Sequence, residues 1–197
     1  MLEEGLFDAV FDVQSFDSTV TNSMQENPKH IEIDASWYAS PFNAGCIVNN
    51  LDCVILAALE VDTDFNVNVL TGHDGVLRGA SGGHQDTAAG AKLSIVVAPS
   101  FRGGVPSIKD KVTTVTTPGE TVDAIVTERG ICINPRREDL LESALKSGLP
   151  VADITALKKE VEKLTGIPRP AEFNYDKVAA VVEYRDGTLI DTVYCRK

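Results

Sequence analysis

Between Leu77 and Val97 the chain reads LRGASGGHQDTAAGAKLSIVV, and eight of its fifteen glycines fall between Gly72 and Gly104. Without a Cβ, the backbone around Gly79, Gly82 and Gly83 can approach a ligand closely and aim N–H groups at one of its oxygens. At a helix N-terminus that arrangement stabilises a developing oxyanion. Glycines also serve tight turns and close packing with no ligand at all, and the pattern alone leaves both readings open. Neither common phosphate template is present, because G-x-G-x-x-G is missing and GGHQDTAAGAK lacks the G-x-x-x-x-G-K-[ST] spacing. His84 and Asp86 are the residue types of a base and its orienter; Ser81 in GASGG imitates the letters of G-x-S-x-G, but no strand-like apolar run leads directly into it as a nucleophile elbow requires.

A second candidate group is acidic. DTDFNVN, Asp62 to Asn68, begins like a calcium loop, but Val67 stands where glycine is required and His73 where a bidentate glutamate is required. Glu60, Asp62 and Asp64 can be read instead as paired carboxylates for acid–base work. They follow the apolar run CVILAAL, at the strand end where open α/β sheets place ligands. For Asp62 and Asp64 a solvated acidic loop is an equal reading.

The elements that must position these residues follow from apolar patterning. Runs at Ala9–Val13, Cys53–Leu59, Val67–Leu70, Leu93–Ala98, Val122–Thr127 and Lys177–Tyr184 are continuous rather than alternating, the pattern of strands covered on both faces. NPRREDLLESALKSGL predicts a helix with Asn134 as N-cap, Pro135 at N1 and an apolar face of Leu140, Leu141, Ala144 and Leu145. A second helix is predicted from Asp153 to Gly166, with Leu157, Val161 and Leu164 on one stripe. Asp186-Gly187 between two strand-like runs signals a hairpin. The expectation is an α/β domain with an open, mostly parallel sheet, flanking helices and a C-terminal hairpin.

Composition narrows the function classes. A chain of 197 residues with 43% hydrophobic and 24% charged residues can bury one good core. A net charge of −11 argues against nucleic acid as a partner. Its apolar runs are too short to cross a membrane, and no basic segment followed by an apolar one opens the chain. Cys46, Cys53, Cys132 and Cys195 form no C-x-x-C pair, so no metal site is expected, and buried, reduced thiols in a cytoplasmic protein are. MLEEG reads as the last turn of a helix feeding directly into a strand, an abrupt start for a complete domain.

Read in order, VILAALEVDTDFNVNV, GGHQDTAAGAKLSIVVAP and VTTVTTPGETVDAIVTERGICINP resemble the second half of CoA-transferases. More closely, the string from Gly5 to Tyr194 resembles the C-terminal part of citrate lyase α chains, the citrate:acyl-carrier-protein CoA-transferase subunits. The resemblance implies that residues 1–197 are a single domain, the second of two similar ones, with the family's N-terminal domain absent and the active site between them. It implies exchange of acetate for citrate on an acyl-carrier-protein thioester. CoA or a CoA-like prosthetic group would be the thioester carrier, with no tightly bound cofactor. The implied partners are citrate and an acetyl thioester, the N-terminal domain, the β subunit and the γ (acyl carrier protein) subunit, in an oligomer.

By the same resemblance Gly79, Gly82 and Gly83 let the thioester lie against the backbone, Gln85 and Asp86 line or brace that turn, and Glu60 faces substrate. Arg78 and Arg102 flank the glycines and are the candidate citrate ligands, ahead of Arg129 and Arg136. Related transferases that form a covalent glutamyl thioester carry Ser-Glu-Asn-Gly after an early strand. Here VQSFDS, Val13 to Ser18, occupies that place with Phe16 where the nucleophile would stand, which favours direct transfer. Gln14 and Ser15 are then substrate-binding donors. Asp17 is either a carboxylate one position displaced or, like Ser18, a helix N-cap. Two other readings remain: a half that binds ligand and subunits without turnover, and a transferase for another carboxylate.

Overall fold

The runs at Cys53–Ala57, Leu93–Val97 and Ala124–Thr127 become parallel neighbours in the computed structural model, which describes residues 2–197. Cys53 pairs with Leu93, and Ile95 with both Ile55 and Ala124. Gly130–Ile133 then returns antiparallel beside Ala124–Thr127, giving a four-stranded, mostly parallel sheet.

A second sheet, of which the apolar patterning announces only the run at Val67–Leu70, places Glu60–Asp62 between antiparallel Val67–Asn68 and parallel Ile108–Lys109. Its Val61, Phe65, Val67 and Ile108 meet Val96, Ile125 and Cys132 of the first sheet, and Ile154 and Leu157 of the Ile154–Thr165 helix. This is the main core.

One face of the large sheet is covered throughout and the other only in part, Ala124 being buried on the second. Val96 and Ile125 are fully buried, whereas Ile55 is 71% and Val97 43% exposed on the other face. The expectation of strands buried on both faces is therefore corrected: apolar side chains occupy both faces, but packing on the second reaches Ala124 and leaves Ile55 and Val97 exposed. Cys46 and Cys132 are buried as expected, but Cys53 is exposed for the same reason. Burial pushes the Cys132 thiol up to about 11.

Helix starts follow capping chemistry. The Asp153 carboxylate accepts from the Ala156 N–H at 2.7 Å, and Gly166 ends that helix at φ +73°. The preceding helix spans Glu138–Lys146, beginning later than predicted. Asn134 is not its cap: Arg137 holds that position, and Asn134 closes a turn ahead of the helix, its Oδ1 accepting from the Arg136 N–H at 3.2 Å while its buried amide donates to Gly119 O at 2.9 Å and Val122 O at 2.8 Å. Phe173–Glu183 and Leu189–Arg196 form a bulged antiparallel hairpin whose turn contains Gly187 at φ +88°.

At the other end of the chain, Val10–Asp12 pairs in parallel with His30–Glu32 around the Ser18–Glu26 helix, none of whose residues is buried. Gly5 closes a turn onto Leu2 O at 3.1 Å. Met1 lies outside the described residues.

Candidate functional site

The glycine segment divides by what each glycine touches. A Cβ on Gly79 would stand 2.5 Å from Val69 O, so that glycine lets two backbone segments meet. One on Gly83 would stand 2.8 Å from the Tyr38 ring. Gly82 differs: its φ is +50° and a Cβ there would meet nothing within 4 Å. The turn thus opens to free space at Gly82, immediately before the His84–Gly90 helix. Neither the Gly82 nor the Gly83 N–H has a backbone acceptor among the described residues.

His84 anchors that turn. Its Nε2 lies 3.0 Å from Ala57 O, a group that can only accept, so Nε2 carries the proton and Nδ1 accepts from Thr117 Oγ1 at 2.7 Å. Burial holds its pKa below the ordinary value, consistent with this neutral form. Both ring nitrogens are therefore engaged in holding the helix to a strand end. Gln85 and Asp86 brace from the other side. Gln85 Nε2 donates to Glu183 O at 3.0 Å, and Arg185 Nε lies 3.5 Å from the Asp86 carboxylate, whose pKa burial raises.

A cavity of about 320 Å³ is lined by Glu60, His73, Arg78, Arg102 and Ser107 among others. The two arginines singled out in the sequence thus share one hollow. A Cβ on Gly72 would collide with the Arg78 guanidinium, so this glycine makes room for it. Arg78 is steered by Asp74, with Nη2 to Oδ2 at 2.7 Å. Arg102 sits on a small hairpin, Phe101–Arg102 with Val105–Pro106, whose turn uses Gly103 at φ +57° and Gly104 at φ +81°. Arg102 forms no ion pair among the described residues.

Glu60 is 3% exposed and fully engaged. It accepts from Asn68 Nδ2 at 2.9 Å, the Thr113 N–H at 2.8 Å, Thr113 Oγ1 at 3.1 Å and Lys109 Nζ. It is a brace for the cavity wall rather than a free acid or base. Asp62 is also buried, accepting from the N–H groups of Asp64, Asn66 and Val112 at 3.0, 2.9 and 3.2 Å, so the reading of a solvated loop fails for it. Desolvation raises its pKa despite those bonds. They hold the tight loop in which buried Phe65 takes φ +67°.

Gln14, Ser15 and Asp17 do not line this cavity. Asp17 is a helix N-cap, accepting from Thr19 N at 2.8 Å and Val20 N at 3.1 Å. The Gln14 N–H donates to Asp12 Oδ1 at 3.0 Å and Ser15 Oγ to Oδ2 at 3.2 Å, while Phe16 is 83% exposed. Arg129 is spent on Glu160, Glu128 and Ser100; Arg136 lies 3.7 Å from Glu120. Sequence reasoning misses His73, Lys109 and the threonines of VTTVTT, where Thr114, Thr116 and Thr117 are buried and hydrogen-bonded. Four threonines in six residues is the available signal, since a buried hydroxyl needs a partner.

The model of the citrate lyase α-subunit family matches residues 1–195. The chain belongs to the citrate lyase α-subunit family. It is 51% identical over 191 residues to the citrate lyase α chain of Klebsiella pneumoniae, covering 97% of this chain and 37% of that one. It is 53% identical over 192 residues to the Escherichia coli K12 α chain, covering 98% and 38%. A crystal structure described as a citrate lyase α subunit of Streptococcus mutans in complex with citrate superposes with a TM-score of 0.95 at 52% identity, covering 100% of this chain and 38% of that one. The structure of a RipA point mutant is more distant, with a TM-score of 0.53 at 25% identity over 75% of this chain and 35% of that one. The chain therefore spans little more than a third of the length of the citrate lyase α chains it matches.

Proposed function

We propose that this chain contributes the citrate-binding side of an acyl-exchange site, in which citrate replaces acetate on an acyl-carrier thioester. The observation that carries this reading is the shared cavity of Arg78 and Arg102, supported by the citrate bound to the S. mutans relative. Citrate bears three carboxylates, and forked guanidinium donors suit carboxylates geometrically and electrostatically.

In the direct route, a citrate carboxylate oxygen attacks the acetyl thioester carbonyl. The carbon–sulfur bond breaks, leaving a mixed anhydride and a thiolate. The thiolate then attacks the citryl carbonyl of the anhydride and acetate departs. Each attack develops negative charge on a carbonyl oxygen, for which the Gly82 and Gly83 N–H groups are the donors in this reading. Support for a route without a covalent enzyme intermediate comes from the VQSFDS segment. Phe16 has no nucleophile, and the Asp17 carboxylate caps a helix. The CoA-like carrier group is a substrate. The remainder of a full-length α chain, the β and γ subunits and a cytoplasmic setting belong to the same proposal.

Acyl exchange from acetyl-CoA to citrate, read as citryl-CoA by mass spectrometry, tests it. The chain is assayed alone and with the rest of an α subunit supplied in trans. Citryl-CoA in the reconstituted sample is the expected result; none, with association confirmed, overturns the assignment. In the active sample Gly82→Val, which keeps its N–H but forces a branched side chain onto φ +50° and so turns the donors of the turn away, lowers turnover by about a hundred- to a thousand-fold, with circular dichroism and the thermal melt checking that the fold is retained. Normal turnover by that variant removes the glycine turn from the chemistry.

A further inference from the structure

The side chains that follow the glycine pair are each spent on a remote segment. His84 is tied to Ala57 O and Thr117 Oγ1, Gln85 donates to Glu183 O, and the Asp86 carboxylate faces Arg185. Gly82 has no such anchor, since a Cβ there would meet no atom within 4 Å. A glycine backbone is conformationally permissive, so the aim of the Gly82 and Gly83 N–H groups is inherited from His84, Gln85 and Asp86. Donors stabilise an oxyanion when they are fixed before it forms.

The Asp86 contact differs from the other two. Its Oδ1 is buried and accepts no hydrogen bond among the described residues, and Arg185 Nε stands 3.5 Å away. Asp62, by contrast, is fastened by three N–H groups. Neither Asp86 nor Arg185 forms another ion pair among the described residues. Their side chains are 17% and 19% exposed, so water screens the pair poorly and loss of one partner strands the other. Burial raises the Asp86 pKa and Arg185 opposes that rise. Charge therefore holds this contact, and Arg185 is its only source. The hairpin that carries Arg185 is a separate two-stranded sheet, gripping two consecutive residues of the His84–Gly90 helix at its tip.

We infer that Arg185 is a positioning residue for acyl exchange: through Asp86 it fixes the first turn of the His84–Gly90 helix and, with it, the direction of the Gly82 and Gly83 N–H groups. This rests on the acyl-exchange reading above and adds to it a residue outside both the citrate cavity and the glycine segment.

Hydrogen exchange in the chain alone reads the holding directly. The His84 N–H donates to Ser81 O and the Thr87 N–H to Gly83 O, both at 3.0 Å, so these two amides report on the turn. In Arg185→Gln they exchange about tenfold faster, while amides of the Leu93–Val97 strand keep their rates. Asp86→Asn has the same effect, and combining the two substitutions adds nothing, as for two ends of one contact. With the rest of an α subunit supplied in trans, Arg185→Gln lowers kcat for citryl-CoA by about ten- to a hundredfold at unchanged KM for citrate. Arg185→Lys, which keeps the charge, recovers most of that loss. If Arg185→Gln fails to fold, Asp86→Asn, of nearly the same shape as the native side chain, carries both measurements. The inference is overturned by unchanged exchange at His84 and Thr87, by effects of the two substitutions that simply add, or by a KM that rises while kcat holds. If the unmodified reconstituted sample forms no citryl-CoA, the acyl-exchange reading falls and the role in transfer with it, while hydrogen exchange still decides whether Arg185 holds the turn.

Discussion

Two parts of this chain invert the usual placement of residue types. From Glu60 to Thr117 polar groups lie inside: Glu60, Asp62, Asn68, Thr71, His84, Thr114 and Thr117 are all buried. From Val10 to Trp37 apolar groups lie outside, with Phe11, Val13, Phe16, Ile31 and Trp37 each at least 38% exposed. The inner polar groups are hydrogen-bonded, which makes them specific and rigid rather than costly. The outer apolar groups bury little area and so add little to this chain's own stability. The difference teaches where single residues decide the fold: in the first region, and hardly at all in the second.

The sharpest way to break that comparison is Phe65→Ala. The side chain is 2% exposed in the main core, and its loss destabilises by about 3–5 kcal/mol in urea unfolding. A change below about 1 kcal/mol would mean the core is far looser than its packing.

His84 gives a pH-dependent test of smaller size. Burial holds its folded pKa below the ordinary 6.5, so the unfolded chain binds this proton more readily. The stability contributed by neutral His84 is fully present above that value and is lost as the pH falls below it. Urea midpoints at pH 7.5 and 5.5 should therefore fall further for the wild type than for His84→Gln. Equal falls would show that the ring titrates as if exposed. Comparing the two proteins cancels Asp62 and Asp86, whose raised carboxyls act with opposite sign.

In the outer region the effects shrink. Asp17→Ala removes a cap worth about 1 kcal/mol to a helix with no buried residue, while Asn replaces Asp as a cap without loss. The Ala variant should lose helical circular dichroism while the main unfolding midpoint stays put; Asp17→Asn should keep both helix and acyl exchange. Complete loss of exchange in Asp17→Asn, with substrate still bound, would restore that carboxylate as a nucleophile. The smallest change expected is for Phe16→Ser, within about 0.5 kcal/mol. A larger one would place Phe16 in packing that its exposure does not indicate.

The same contrast explains what is legible in the sequence. The long β-branched runs at Cys53, Leu93 and Val122 announce parallel strands, and Asp153 and Gly166 mark a helix, because local chemistry decides these. The Glu60–Asp62 strand is unreadable, since its burial depends on Lys109 and Thr113, about fifty residues away. Asn134 reads as a cap because its oxygen does accept a nearby N–H, that of Arg136, but it closes a turn there, and its amide is held by the remote Gly119 and Val122. Ile55 shows that an apolar run fixes strand identity but not whether anything covers its second face. Arg78 and Arg102 stand out in the sequence as neighbours of the glycines, while their common cavity is a property of the folded chain. Motif order alone groups Gln14, Ser15 and Asp17 with them, and motif order carries no distance.

The Gln85 to Glu183 hydrogen bond spans 98 positions of sequence. At the usual pace of synthesis that is a delay of about 5–20 s between the emergence of the two partners. The helix behind Gly82 and Gly83 can coil as soon as it leaves the ribosome, but this brace is added only once the Phe173–Glu183 strand has followed it. On a nascent chain the glycine turn is therefore formed before it is fastened, and its final geometry waits on a strand made about a hundred residues later.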